Sequence, residues 1–327
     1  MFLVPWLLVW AWLAPLPSSI PGQADEAIRR GLDGIIVYVD QAGKEPQSSA
    51  AGWQNKKEQI PADPKALFKI ASISKLYIAA ATVKLVQAKK LSLDTPLSAY
   101  FPELQGQIEY ADQINLRLML QHRSGIPNFT DQTNFDWFNP PASDDQKLAL
   151  VLGKPADFRP DSEYAYSNTN FLLIGRILDQ TLGYAHAKYI KTSILDPLGL
   201  KHTFGSLAEV DAKDLVSGYW FGYEDDLKGI DFPTAGGSMI ATAEEVAKFV
   251  RALRDGTLLS REEQALYETI YPYDHTGWLP GYQSMVEYQA DMDSVVVVFV
   301  NTSGELAWNL HEIMYGRILK ILRHQYR

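Results

Sequence analysis

A serine and a lysine near the start of an apolar stretch have the types and the spacing of a nucleophile and its base. Ser72 and Lys75 stand three positions apart in FKIASISK, and Ser-x-x-Lys occurs once in the chain. A serine hydroxyl is a poor nucleophile at neutral pH unless a neighbouring base takes its proton. Residues three apart on a helix share a face, so the lysine amine can reach the hydroxyl. A chance match on a structural helix is the alternative, because about one match is expected in a chain of this length.

Tyr166 and Asn168 form a second candidate pair, in the single Tyr-x-Asn of the sequence. A lysine base works only if its proton is passed on, and a phenol on a nearby loop can relay that proton to the leaving group. The carboxamide of Asn168 can hold either a substrate amide or Lys75. Taken alone the pair is weak evidence, because tyrosine and asparagine are common in loops.

A third motif, His275-Thr276-Gly277, directly precedes a predicted strand. Acyl transfer needs groups that anchor the substrate and N–H donors for the oxyanion. A glycine at a strand edge lets a substrate backbone approach closely. We therefore predict His275, Thr276 and Gly277 as substrate-binding residues, and the backbone N–H groups of Ser72 and Trp278 as the oxyanion hole.

The elements that must position these residues follow from hydrophobic periodicity. Residues 34–40 (GIIVYVD) predict a strand, residues 74–90 a buried helix, and residues 283–289 and 294–300 an antiparallel hairpin. Further helices are predicted over residues 170–180, 185–195, 242–255 and 305–327, the third of them with a capping box of Thr242 and Glu245.

This order predicts an antiparallel sheet flanked by N- and C-terminal helices, with a mostly helical domain inserted between the two halves of the sheet. The sheet part covers about residues 25–90 and 236–327, and the insertion about residues 91–235. Such an insertion brings the three motifs to one cleft at the domain junction.

The first 24 residues predict an export signal. Residues 2–16 (FLVPWLLVWAWLAPL) are uncharged, and residues 22–24 offer a small-x-small cleavage site before Asp25. The expected location is the periplasm or the medium. The alternatives are an uncleaved anchor, which would be the one membrane contact of the chain, and a buried core segment.

Composition excludes several classes of protein. The 327 residues are 46% hydrophobic and 21% charged, as in an ordinary globular protein, and 30 basic against 39 acidic residues give a net charge of −9. Such an acidic chain is not expected to bind nucleic acid. It has no cysteine, which excludes disulfides and thiol nucleophiles. We expect no metal or other cofactor, and a small-molecule or peptide substrate as partner.

The motifs as a set resemble the serine β-lactamase and penicillin-recognising DD-peptidase superfamily, in particular its class C-like branch. Four other stretches are similar to segments of that branch: LMLQHRSGIP at 118–127, FRPD at 158–161, DPLGLKHT at 196–203 and AGGS at 235–238. The resemblance covers about residues 25–300. It implies a β-lactamase/transpeptidase-like α/β (α+β) fold and an acyl-enzyme at Ser72. It also implies that Lys75 is the base, that Tyr166 relays the proton, and that Asn168 and His275 surround the substrate.

The departures from that pattern narrow the expected function. His275 stands where class C β-lactamases have lysine, which favours the peptidase and esterase members of the branch. Arg123 and Asp161 replace the usual threonine and glycine, and no equivalent of the deacylating glutamate of class A enzymes is seen. The sequence thus predicts an exported serine hydrolase acting on a D-Ala-D-Ala-type peptide or a small ester or amide. A class C-like β-lactamase and a non-catalytic penicillin-binding sensor are the alternatives.

Overall fold

The computed structural model describes residues 6–326. The first five residues of the predicted signal and Arg327, the end of the predicted closing helix, lie outside the described residues. The α-helices are α1 Trp6–Leu13, α2 Ile20–Arg29, α3 Ser74–Gln87, α4 Leu97–Tyr100, α5 Leu116–Leu120, α6 Asp144–Ala149, α7 Asn168–Leu182, α8 His186–Ile190, α9 Ala243–Asp255, α10 Arg261–Ile270 and α11 Glu305–Tyr326. The strands are β1 Gly34–Gln41, β2 Gln47–Asn55, β3 Ile60–Pro61, β4 Phe68–Lys69, β5 Thr203–Phe204, β6 Tyr219–Trp220, β7 Ile240–Ala241, β8 His275–Leu279, β9 Tyr282–Gln289, β10 Ser294–Val300 and β11 Thr302–Ser303.

The main sheet has six antiparallel strands in the order β3-β2-β1-β10-β9-β8. Its central strands β1 and β10 are rich in β-branched residues and are buried on both faces, with Val37 opposite Val298. Because successive side chains point to opposite faces, these two strands contribute to two separate cores. Helices α2 and α11 cover one face, while α3 and α9 pack against the other.

The strands of this sheet come from both ends of the chain, as the sequence predicted. Residues 34–61 supply β1 to β3, and residues 275–300 supply β8 to β10. The residues in between contain the helices α3 to α10 and only short strands. A three-stranded sheet of order β4-β7-β5 lies beside the start of α3 and supports the turn that precedes that helix.

Most of the elements predicted from periodicity are confirmed, including the 74–90 helix, which ends at Gln87, and the hairpin of β9 and β10. The predicted capping box of Thr242 forms only in part. The hydroxyl of Thr242 accepts from the Glu245 backbone N–H, but the Glu245 carboxylate bonds instead to the Thr203 hydroxyl and the His202 N–H. Strand β2 (QSSAAGWQN) has no clear alternation and was not predicted; its pairing with β1 forms it.

The described part of the N-terminal segment packs on the closing helix. Arg317 of α11 is buried and donates hydrogen bonds to the carbonyl groups of Ala14 and Pro15 and to the side chain of Gln23. The predicted cleavage site after Ala24 lies within α2, because this helix runs from Ile20 to Arg29. Among residues 6–326 no helix combines the length and the apolar character needed to cross a bilayer. Cleavage, export and anchoring stay predictions.

Candidate active site

Ser72 lies in a tight turn directly before the most buried helix of the chain. A short 3₁₀ turn, Ala71–Ile73, leads into α3, and Ala71 has a φ of 49°, in the left-handed region that residues with a side chain rarely adopt. The hydroxyl of Ser284 on β9 donates to the Ile70 carbonyl at 2.9 Å and ties this turn to the main sheet. The strained turn thus presents the Ser72 side chain to the cavity described below.

Lys75 lies one turn further along and is 1% exposed. Its Nζ lies 3.0 Å from Ser72 Oγ, 2.9 Å from Asn168 Oδ1 and 2.8 Å from the Gly236 carbonyl. Burial lowers the pKa of Lys75 to about 7, because a charged amine is poorly solvated there. The amine is therefore partly neutral at physiological pH, and its lone pair can accept the serine proton.

The hydroxyl of Tyr166 reaches Ser72 from the other side and donates to its Oγ at 2.8 Å. Burial raises the pKa of Tyr166 above its ordinary value, although the hydrogen bond to Ser72 opposes the shift. Tyr166 therefore stays a phenol at neutral pH. In this form it can give a proton to a leaving group near Ser72, in exchange for the proton that Lys75 has taken.

His122 forms the platform for Tyr166. The two rings stack with centroids 4.5 Å apart, and the Nδ1 of His122 accepts from the Ser167 backbone N–H. Burial lowers the pKa of His122 to about 3, with the charge of Lys75 as a smaller cause. The sequence placed His122 only in a family-like loop; its stacking role follows from the turn that brings residues 122 and 166 together.

Asn168, the first residue of α7, uses both ends of its carboxamide inside the protein. Its Oδ1 accepts from Lys75, and its Nδ2 donates to the hydroxyl of Thr130 at 3.2 Å. Its backbone N–H donates to the side chain of Asn128. Of the two roles left open by the sequence, this structure shows the one in which Asn168 holds Lys75.

His275 begins strand β8 and has both ring nitrogens in internal hydrogen bonds. Nδ1 lies against the Thr276 carbonyl, a pure acceptor, so Nδ1 carries the proton. Nε2 is then the acceptor for the hydroxyl of Tyr271, 2.8 Å away. Burial, with the charge of Lys75 second, lowers the pKa of His275 to about 3. The ring is thus neutral and offers the substrate no positive charge.

Gly277 is required for packing of the edge strand against the nucleophile turn. A Cβ at this position would lie 2.5 Å from the Ile70 carbonyl and 2.3 Å from Ser284 Oγ. Strand β8 is the edge of the sheet, and Trp278 lies next to Gly277 on it. The oxyanion hole of the Ser72 and Trp278 N–H groups remains a prediction that this placement allows.

A cavity of about 360 Å³ opens between the main sheet and the residues of the insertion. The predicted site residues that line it are Ser72, Tyr166, Asn168, His275, Thr276, Gly277 and Trp278. Lys75 lies behind Ser72 and is the one predicted site residue outside the lining. All three sequence motifs therefore meet at one cleft.

Sequence reasoning missed much of the wall of this cavity. Trp137, Phe232 and Trp308 line it together with Trp278, and Trp137 packs edge-on against Trp278 with ring centroids 5.0 Å apart. Trp137, Phe232 and Trp308 lie far apart in the sequence and belong to no motif. Aromatic content alone could not separate them from core residues.

We expect Tyr166→Phe to lower turnover of amides by about 10²- to 10³-fold, since general acid catalysis contributes about this much. Turnover of p-nitrophenyl esters by this variant should fall far less, because p-nitrophenolate leaves without taking a proton. Steady-state kinetics on an amide and a p-nitrophenyl ester of the same acyl group measures the difference. Equal losses on both substrates would show that Tyr166 acts mainly in positioning Ser72.

Comparison with known proteins supports one assignment. The β-lactamase family model matches residues 23–272. Protein flp of Staphylococcus aureus (strain COL) is 26% identical over 190 residues, which are 58% of this chain and 38% of that protein. A β-lactamase of Pseudomonas fluorescens is 32% identical over 198 residues, 58% of this chain and 51% of its own. The chain thus spans about half or less of the length of these curated relatives.

Among solved structures, the D-amino acid amidase of Ochrobactrum anthropi SV3 in complex with D-phenylalanine has the same fold. It superposes with a TM-score of 0.83 at 24% identity, covering 94% of this chain and 98% of the amidase. The match of the family model over most of the chain agrees with the Ser72, Tyr166 and His275 motifs meeting at one cleft. The chain belongs to the β-lactamase family, a family of serine hydrolases.

Proposed function

We propose that this protein is a serine amidase or esterase that forms an acyl-enzyme at Ser72 and releases an uncharged amine or alcohol. The observation that carries the proposal is the continuous hydrogen-bonded path from Lys75 Nζ through Ser72 Oγ to the Tyr166 hydroxyl. An amine whose pKa burial lowers to about 7 and a protonated phenol lie on either side of the Ser72 hydroxyl, which supports the roles of base, acid and nucleophile.

The reaction follows from these positions. Neutral Lys75 takes the hydroxyl proton while Ser72 Oγ forms a bond to the substrate carbonyl carbon, and the carbonyl electron pair moves to the oxygen. When this tetrahedral intermediate collapses, the bond to the leaving group breaks and the leaving group takes the Tyr166 proton. The lysine proton then restores the phenol. Water attacks the acyl-enzyme by the same steps and frees Ser72.

The two ends of strand β8 separate the two halves of the substrate. The strand rises about 3.3 Å per residue, so His275 and Trp278 lie about 10 Å apart. The Tyr166 ring is near His275, with centroids 6.4 Å apart, whereas Trp137 packs on Trp278. Since Tyr166 protonates the leaving group, the leaving group lies at the His275 end and the acyl group lies along the aromatic wall near Trp278.

The charges of the cleft favour an amide or ester over a peptide with a free carboxylate. Among the described lining residues, Asp131 is the single one with a formal charge at neutral pH, because His275 is neutral. A carboxylate on the leaving group would meet no lining cation and would lose its hydration. The amidase of the same fold, solved with D-phenylalanine, supports an aromatic acyl group.

A matched pair of substrates tests the proposal. We expect the bond between D-phenylalanine and D-alanine to be hydrolysed with at least about tenfold higher kcat/KM in D-phenylalanyl-D-alanine amide than in D-phenylalanyl-D-alanine with its free carboxylate, a difference of about 1.4 kcal/mol. Release of D-phenylalanine is the readout, and for this bond the two leaving groups differ in charge. A preference for the free carboxylate would support the D-Ala-D-Ala-type peptidase predicted as one possibility from the sequence. No turnover of either, or of simple esters, would contradict the hydrolase proposal.

A second candidate, β-lactam hydrolysis, is favoured by the β-lactamase of Pseudomonas fluorescens. Intact mass of the protein mixed with a penicillin separates the cases. Rapid consumption of the drug with a transient adduct supports a β-lactamase, and a long-lived adduct supports a penicillin-binding sensor. Neither adduct nor drug consumption is the result expected of an amidase or esterase whose cleft holds no cation for the carboxylate of the drug.

A further inference from the structure

The segment between strands β6 and β7 carries part of the aromatic wall. Residues 221–239 form neither helix nor strand, and segments of this length without regular structure are uncommon inside compact domains. Phe232 in this segment is 6% exposed, lines the cavity, and stacks on Trp137 with centroids 5.6 Å apart. The position of this segment therefore decides the shape of the acyl side of the cleft.

A buried lysine on strand β4 holds the residues that directly precede Phe232. Lys69 lies on β4, three residues before Ser72, and is 5% exposed. Its Nζ donates to the carbonyl groups of Lys228, at 2.7 Å, and Ile230. Ammonium-to-carbonyl bonds are charge-assisted, and burial makes them costly to break.

A second buried lysine, on a helix of the insertion, holds the residues that directly follow Phe232. The side chain of Lys147 on α6 is fully buried, and its Nζ donates to the hydroxyl of Thr234 at 2.6 Å. The same Nζ lies 3.4 Å from the Pro233 carbonyl and 5.4 Å from the centre of the Phe232 ring. Residues 228–234 are thus held on the two sides of Phe232 by ammonium groups that come from different parts of the chain.

Neither lysine contacts Ser72, Lys75 or Tyr166 through any of these bonds, so their burial is not explained by the acylation chemistry. Burying an ammonium group is unfavourable unless it is bonded. Both lysines bond to residues 228–234, and Lys147 also forms an ion pair with Asp144 of its own helix at 3.4 Å. We propose that Lys69 and Lys147 are positioning residues that hold residues 228–234, so that Phe232 completes the aromatic wall and the enzyme prefers aromatic to small acyl groups. This inference rests on the amidase or esterase function proposed above.

The test compares p-nitrophenyl phenylacetate with p-nitrophenyl acetate, which share a leaving group and differ in the acyl group. In Lys69→Met and in Lys147→Met we expect KM for the phenylacetyl ester to rise about tenfold with little change in kcat. Both parameters for the acetyl ester should stay within about twofold.

Phe232→Ala supplies the matched comparison. It should raise KM for the phenylacetyl ester to a similar extent, and adding Lys69→Met to it should have no further effect, because the lysine acts through Phe232. The proposal would be overturned if Phe232→Ala and Lys69→Met raised KM for the phenylacetyl ester additively. It would also be overturned if a lysine variant lost equal activity on both esters. Thermal unfolding of each variant identifies any that fail to fold. If one of the two lysine variants does not fold, the other carries the test, because both lysines hold the same segment. Wild-type protein inactive on both esters would instead refute the hydrolase function.

Discussion

Replacing Ser72 with alanine is expected to remove the covalent adduct entirely and to lower turnover by about 10⁴-fold or more, as loss of a serine nucleophile does in other hydrolases. The reason is that Lys75 and Tyr166 both reach Ser72 Oγ, at 3.0 and 2.8 Å, and have no second nucleophile between them. Intact mass after rapid acid quench, with a p-nitrophenyl ester as substrate, measures the adduct, and steady-state kinetics measures the turnover.

The matched control for this variant is Ser92→Ala, an exposed serine outside the cleft. It should keep both the adduct and the turnover of the wild type. An adduct that persists in Ser72→Ala would assign the nucleophile to another residue and would contradict the proposed mechanism. Thermal unfolding should show that Ser72→Ala is folded, since the side chain does not hold the turn that carries it.

Lys75→Met should lower kcat/KM by about 10³-fold or more, because the serine then has no base.

The kcat/KM of the wild type should depend on pH, with a midpoint near pH 7. Burial lowers the pKa of Lys75 to about 7, and only the neutral amine accepts a proton. Activity should therefore fall about tenfold per pH unit below 7 and level off above it.

Lys75→Arg separates charge from basicity. Arginine remains protonated at every accessible pH, so this variant should be as inactive as Lys75→Met and should not recover at high pH. The pH dependence of kcat/KM with a p-nitrophenyl ester, corrected for its spontaneous hydrolysis, is the measurement. A limb near pH 7 that survives in both variants would mean that another group titrates, and Lys75 would not be the base.

Much of the fold was predictable because its central elements have strong local patterns. The runs GIIVYVD and SVVVVFV are β-branched throughout, and α3 begins at the expected residue. Strand β2 was not predictable, since its sequence has no alternation and its pairing with β1 comes from outside the segment. Glu245 likewise has the spacing of a capping residue, but its carboxylate accepts hydrogen bonds from the buried hydroxyl of Thr203 and the backbone N–H of His202 instead.

The part of the candidate site that could be predicted consists of residues in short motifs that occur once in the chain. Ser72 and Lys75 are joined by helix geometry, which depends only on a separation of three residues. The placement of Tyr166, Asn168 and His275 in the same cleft was predicted from the helical insertion between the two halves of the sheet and from the resemblance to a known family. His275 was expected beside the substrate; its ring lines the cavity with both nitrogens already bonded inside the protein, and its role as a substrate-binding residue stays a prediction.

The sequence by itself determined the hairpin, the buried helix and the family, and it predicted Ser72 and Lys75 as a nucleophile and its base. These depend on local periodicity and on short motifs. Only the tertiary structure decided the pKa of Lys75, the neutral state of His275 and the wall formed by Trp137 and Phe232. Each of these depends on burial or on contacts between residues distant in the chain, and neither desolvation nor long-range packing can be read from spacing along a sequence.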